Sequence, residues 1–278
     1  MRSREPITRV AVVTHGRPGQ VGDGLERLVA LARRSGVALV VGPEEAERHG
    51  IAASGEPSEA QLVVVLGGDG TMLRTLRTFL GTGIPVLGVN FGRVGFLSAL
   101  GPDELEDGLG RVLAGELEVV ELPTLEVENG GDTHVAVNDV VVASGEIGRM
   151  IELEWAVGRE DLGRVPCDGL ICSTPSGSTA YNLSNGGPVL MWGLDALATT
   201  FVAPHSLHAR PLVVPRGKDV VVRNRTADVP VVVLVDGHRV GEAGRDESVT
   251  VRLGEARTLL GTLPEATFVS RYRESFST

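Results

Sequence analysis

Gly67-Gly68-Asp69-Gly70-Thr71 follows the apolar run Gln61-Leu-Val-Val-Val-Leu66 and precedes Met72, Leu73, Leu76, Phe79 and Leu80, spaced as on an amphipathic helix. A strand passing through glycines into a helix suits phosphate. The glycines allow a sharp turn and let anionic oxygens approach the main-chain N–H groups, and a helix N-terminus adds roughly half a positive charge. In an open α/β sheet such a turn lies at the carboxyl end of its strand, where ligands bind. Asp69 is the anomaly, because phosphates repel a carboxylate. It points to work on a hydroxyl or a magnesium ion, against the plainer reading of an Asp that shapes the turn or caps the helix.

Other phosphate devices are missing. No Gly-x-x-x-x-Gly-Lys-Ser/Thr exists, since the sole lysine is Lys218, and no Gly-x-Gly-x-x-Gly follows a strand. A second polar constellation runs from Asp168 to Pro188. Leu170–Cys172 fits a strand end, Thr174 an N-cap, Pro175 a first helical position, and Asn185-Gly186-Gly187 the stop. The hydroxyls of Ser176, Ser178, Thr179 and Ser184 would then form a polar wall, with Tyr181 covering a sugar or a base; a capped, serine-rich turn is the plainer alternative. Asn138-Asp139 lies within the apolar run Val135–Ala143, where polar groups cost free energy unless paired, which favours a ligand contact. Asp236-Gly237 reads as a hairpin turn, and His205 with His208 has too few partners for a metal site.

The elements that must position these residues fall into two textures. Up to about residue 118, apolar runs at Val10–Val13, Val37–Val41, Gln61–Leu66 and Pro85–Asn90 alternate with helical spacings at Leu25–Ala32 and Met72–Leu80 and a helix start at Pro102. That predicts a Rossmann-like α/β domain with a mostly parallel sheet. From 119 to 257, short β-branched runs bounded by turns predict a mainly antiparallel, sandwich-like all-β domain. The tail, 258–278, fits either. Cys167 and Cys172 read as reduced, half-buried thiols on opposite sides of one strand.

The 36 acids against 26 bases give a net charge of −10, which argues against nucleic acid or a membrane surface as partner. No apolar run approaches bilayer length and the first residues lack a signal-peptide core, so a cytoplasmic protein is expected.

Gly67-Gly-Asp-Gly-Thr71, Asn90-x-Gly92-x-x-Gly95-Phe96-Leu97, Asn138-Asp139, Asp168-Gly and Thr174-Pro-Ser-Gly-Ser-Thr-Ala-Tyr181 together resemble the NAD kinase family, over roughly residues 8–240. The glycine turn alone also resembles those of lipid kinases and phosphofructokinases; the Thr174–Tyr181 string is far more specific. Asp139 departs from the family's usual Glu but keeps the carboxylate. The resemblance implies transfer of the γ-phosphoryl of ATP, or of polyphosphate, to the 2′-hydroxyl of the adenosine ribose of NAD. It also implies Mg²⁺ and a homo-oligomer, a dimer or a tetramer. Carried over by position, Asp69 would be the base, and Gly67, Gly68, Gly70 and Thr71 would hold donor phosphates. Asn138, Thr179 and Ala180 would contact adenine, Asp139 the ribose hydroxyls, and Asp168, Tyr181, Ser184 and Ala203 the rest of the dinucleotide, with Phe96 helping to enclose it; Ser176, from the polar wall, is a further substrate-binding candidate. The tail would pack back on the first domain.

Two rival readings remain at this level. A lipid kinase would need an apolar acyl groove, which the hydroxyl-rich stretch 173–184 suits badly. A non-catalytic NAD-sensing module would bind dinucleotide and make no NADP.

Overall fold

Leu62, Val63, Val64, Val65 and Leu66 are all fully buried, as a parallel strand covered on both faces by helices requires. Burying each such side chain stabilises the fold by about 1.5–3 kcal/mol. The computed structural model describes residues 2–3, 6–50, 52–92 and 95–276. It divides into two compact units, Met1–Glu121 with Thr258–Thr278, and Leu122–Arg257.

In the first unit the strands run in the order Val86–Asn90, Leu62–Gly67, Arg9–Thr14, Ala38–Val40, all parallel. The end of strand Ser248–Thr262 joins in parallel, with Leu260 opposite Val86. Helices Gly24–Arg34, Asp69–Thr78 and Leu105–Leu113 follow the sequence spacing. Arg27 ties the first of these to the last through Glu106, at 2.5 Å. Two helices lack a signal strong enough to read in advance, Pro43–His49 and Phe268–Phe276. The first is short and mostly charged, and the second buries only Phe268 and Arg271.

The second unit is antiparallel, as its texture predicts. One sheet has the order Leu212–Pro215, Ala196–Val202, Gly169–Ser173, Asp139–Ser144, Val231–Val235, His238–Ala243. Strand Ile151–Val157 pairs with Glu160–Cys167 and Val220–Asn224, and the latter with Ser248–Thr262, in a second layer. The two layers share one core, where Trp155 meets Phe201 edge to face with centroids 5.3 Å apart. Strands Glu160–Cys167 and Ala196–Val202 escape sequence reading. The former is an edge strand with Glu160, Asp161, Leu162 and Arg164 exposed, and the latter mixes alanines and threonines where the other buried strands carry valine runs.

Three local expectations need correction. The run Val135–Ala143 is not one strand: it breaks at Val137-Asn138, between Asp132–Ala136 and Asp139–Ser144. The segment after Pro175 is not one helix. A 3-10 turn, Gly177–Thr179, is separated by Ala180 (φ −98°, ψ −126°) from a single helical turn, Tyr181–Ser184. Gly177 causes part of this, since its Cα packs on the Asn138 main chain where any Cβ would overlap. Finally, Cys167 and Cys172 lie on different strands and are fully buried in the same core. Both are free thiols, which burial pushes up to about 12.

Candidate active site

Three neighbouring parallel strands end together: Arg9–Thr14 into His15-Gly16-Arg17, Leu62–Gly67 into Gly68-Asp69-Gly70, and Val86–Asn90 into Phe91-Gly92. Between them lies a cleft of about 490 Å³ lined by these residues, apart from Asp69, together with Gln20, Thr71 and Arg74. Gly67, Gly68, Gly70 and Thr71 are therefore brought together. Gly67 is required because a Cβ there would press on the Thr71 side chain, 2.8 Å from its hydroxyl. Helix Asp69–Thr78 has Gly68 as N-cap and no side-chain cap; the Thr71 N–H donates to the Gly68 carbonyl at 2.9 Å, and the amides of Asp69 and Gly70 are left for a ligand. Sequence reading missed His15, Arg17 and Arg74; the two arginines give the cleft its positive charge. The signal was present: Arg74 lies one helical turn after Gly70, and residues 15–17 follow the adjacent strand.

The Asp69 side chain does not cap its helix. One carboxylate oxygen accepts the Phe96 N–H at 2.7 Å and the other the Leu97 N–H at 3.1 Å. Gly95 makes room for this, since a Cβ there would overlap the carboxylate. Phe96 acts here through its main chain. Its ring is buried against Phe268 and Phe276, with centroids 5.2 and 6.1 Å away, and does not stand open to enclose a ligand. The neighbouring Arg271 is 5% exposed and donates to the carbonyls of Phe96 and Ser98 at 2.9 and 2.6 Å. Burial lowers its guanidinium to about 10, so it stays charged at neutral pH.

In the second unit, Asn138 and Asp139 stand where Thr174–Gly177 folds over the strand break. Thr174 N–H donates to the Asn138 carbonyl, while the Thr174 and Ser176 hydroxyls both donate to the Val137 carbonyl. The hydroxyls of Ser176 and Ser178 are thus taken up inside the turn rather than forming a wall. Thr179, Ala180, Tyr181 and Ser184 remain partly or fully exposed on the same turn. Beneath them Asn182, which sequence reading passed over, donates to Ser178 and Pro188 and accepts from Thr200.

Asp168 and Ala203 sit elsewhere. Gly169 pairs with Ala143 and Ser173 with Asp139, so the strand between them holds Asp168 and Ala203 at the opposite end of the sheet from Asp139, about 15 Å away. His205 and His208 are exposed. Among the described residues no three His, Cys, Asp or Glu side chains converge on a metal position.

Asp236 does more than turn a hairpin. With φ of 47°, followed by Gly237 at 79°, it forms the tight turn between Val231–Val235 and His238–Ala243. Its carboxylate also accepts the N–H groups of Val137, Asn138 and Asp139 at 3.0, 2.8 and 3.2 Å. The break at 137–138 is held by this anion. Asn138 Oδ1 is buried there without a hydrogen-bond partner.

Burial, with the Asp236 carboxylate adding to it, pushes Asp139 up to about 7. The folded chain therefore binds a proton that the unfolded chain, near 4, releases. The resulting stability is complete below about pH 4 and lost as pH rises through about 7. Asp139→Asn is expected to remove that loss, so that its melting temperature gains several degrees on the parent between pH 5 and pH 8.

Residues 37–117 match the ATP-NAD kinase N-terminal domain and residues 137–260 the ATP-NAD kinase C-terminal domain. The NAD kinase of Heliobacterium modesticaldum is 42% identical over 221 residues, covering 78% of each chain. That of Natranaerobius thermophilus is 29% identical over 96% of this chain and 97% of its own. Among solved structures, an NAD kinase from Archaeoglobus fulgidus in complex with ATP superposes with a TM-score of 0.76 at 25% identity, covering 96% of this chain and 99% of that one. Yeast NADH kinase complexed with NADH gives 0.84 over 99% and 89%; at 22% identity it speaks for the fold alone. With both halves of the chain matched and relatives near 40% identity over most of its length, the chain belongs to the NAD kinase family.

Proposed function

We propose that this chain transfers the γ-phosphoryl of ATP to the 2′-hydroxyl of the adenosine ribose of NAD, making NADP. The observation that carries the reading is the division of labour at Gly67–Thr71. The main chain lines a cleft with Arg17 and Arg74, while Asp69 is turned away and gripped by two amides. Phosphoryl transfer depends mainly on positioning and charge neutralisation, with a carboxylate accepting the hydroxyl proton. Gly67, Gly68, Gly70 and Thr71 hold the donor phosphates, and Asp69 takes the proton.

The second unit reads the acceptor. The buried Asn138 Oδ1 lacks a donor, which costs about 1–3 kcal/mol, and an adenine amine supplies one. Thr179 and Ala180 contact the base beside it. Asp139 accepts ribose hydroxyls, and Tyr181, Ser184, Asp168 and Ala203 contact the rest of the dinucleotide. Of the serines assigned to it, Ser176 supports the turn instead.

Mg²⁺ belongs to the same proposal, but no set of protein ligands among the described residues fits it. The ion enters with ATP as the nucleotide's counter-ion, held by phosphates and water, and no step is drawn through a protein-held metal. A homo-oligomeric state rests on the family resemblance, and action in the cytoplasm on the lack of a bilayer-length apolar run and of a signal-peptide core in the first residues. No helix among the described residues is long and apolar enough to cross a membrane.

Purified protein given NAD and MgATP is expected to form NADP, read with an NADP-specific dehydrogenase; NADH and polyphosphate run in parallel settle acceptor and donor range. Dinucleotide binding without NADP would favour the sensing module. Arg74→Met is expected to raise KM for ATP ten- to a hundredfold, roughly the 1.5–3 kcal/mol of a charged hydrogen bond, and to leave KM for NAD within about twofold. Equal changes in both constants would place Arg74 outside donor binding.

A further inference from the structure

The two amides that hold Asp69 belong to a loop with no helix or strand of its own between Gly95 and Ala99. The Gly88 carbonyl accepts the Ala99 N–H at 2.9 Å, and further anchors come from the other end of the chain. Leu97 N–H and Phe96 C=O are the two ends of one planar peptide unit and point in opposite directions. The N–H donates to Asp69, and the carbonyl accepts from Arg271 Nη1 at 2.9 Å. The same nitrogen holds the Ser98 carbonyl at 2.6 Å, Nη2 donates to Thr262 Oγ1 at 3.0 Å, and the Phe96 ring is packed on Phe268 and Phe276 of the same helix as Arg271.

We propose that Arg271 is a positioning residue for Asp69: through the Phe96–Leu97 peptide plane it orients the amide that aims the carboxylate, so the C-terminal helix sets the geometry of proton transfer. The inference rests on the reading of Asp69 as the base. A cation on the carbonyl side polarises the peptide so that its N–H donates more strongly to the anion beyond, and the rigid plane transmits any tilt of the guanidinium. Burying an arginine is costly, and here its partners include the carbonyls of Phe96 and Ser98, the Thr262 hydroxyl and, at the longer distance of 3.4 Å, the Ala266 carbonyl. Arg271 does not line the cleft, so its effect is expected in turnover rather than in donor affinity.

The test is a double-mutant cycle on the full chain with kcat and both KM values measured. Arg271→Met is expected to lower kcat by about 10- to 100-fold, the scale of a misaligned catalytic group, with KM for NAD and ATP within about twofold. Arg271→Lys, which keeps a charge but one point of donation, is expected to recover part of the loss. In the Asp69→Asn background, Arg271→Met should change the residual kcat by less than about twofold. The same loss in both backgrounds, or no loss with Asp69 present, overturns the proposal. Near-parental turnover of Asp69→Asn alone overturns the base reading instead, and this inference with it. If Arg271→Met does not fold, Arg271→Lys and Arg271→Gln are read in the same cycle, and parental kcat in both is likewise fatal.

Discussion

Asp69→Asn is expected to lower kcat by ~10²–10⁴ while the chain keeps its fold and its affinity for NAD. The lower bound is the loss of a proton acceptor at a hydroxyl that becomes acidic only as the bond to phosphorus forms. The upper bound includes a geometric part, because both oxygens of Asp69 accept main-chain N–H groups. An amide presents its NH₂ to one of those donors, so the side chain swings or one N–H is left unpaired. Steady-state kinetics, a melting curve and calorimetric NAD binding on the same sample separate the two parts. Turnover near the parental value in a well-folded variant would take Asp69 out of the reaction.

Asp236→Ala is expected to have the largest effect on stability, about 3–4 kcal/mol in urea unfolding. Three N–H groups, two of them on the buried residues Val137 and Asp139, lose one shared anionic acceptor. For a chain of this size that corresponds to a melting point lower by roughly 6–15 °C. The strand break then loses its shape, and KM for NAD rises about tenfold, because Asn138 and Asp139 are aimed by these bonds. Asp236→Asn, which keeps one acceptor oxygen, should lie between. Full stability in the alanine variant would mean that water or a neighbour replaces the carboxylate, and that the break is held by the Thr174–Gly177 turn alone.

The strand–turn–helix at Gly67–Thr71 was readable because its signal is local. Strand, glycines and helix are contiguous from Gln61 to Leu80, and the constraint on Gly67 comes from Thr71, only four positions on. The antiparallel character of the second unit was equally readable, since alternating β-branched runs and Gly-containing turns report their own conformation. Gly130 and Gly237 do have the positive φ that such turns demand. Strand Ala196–Val202 was not readable. Its burial comes from lying between two other strands of the sheet, which its alanines and threonines do not announce.

The sequence by itself determined which segments become strand, turn and helix around Gly67–Thr71, because short-range periodicity and backbone preference govern those choices; the break at Val137-Asn138 it did not determine. Only the tertiary structure decided what each polar group does. Asp69 is seated by amides 27 and 28 positions away, Asn138 and Asp139 by a carboxylate about 100 positions away, and the loop that grips Asp69 by an arginine 175 positions beyond Phe96. A hydrogen bond is specified by distance and angle in space. Contacts of that span leave no periodic trace along the chain, so neither the packing of the Phe96 ring on Phe268 nor the bond from the Ser176 hydroxyl to the Val137 carbonyl could be read from it.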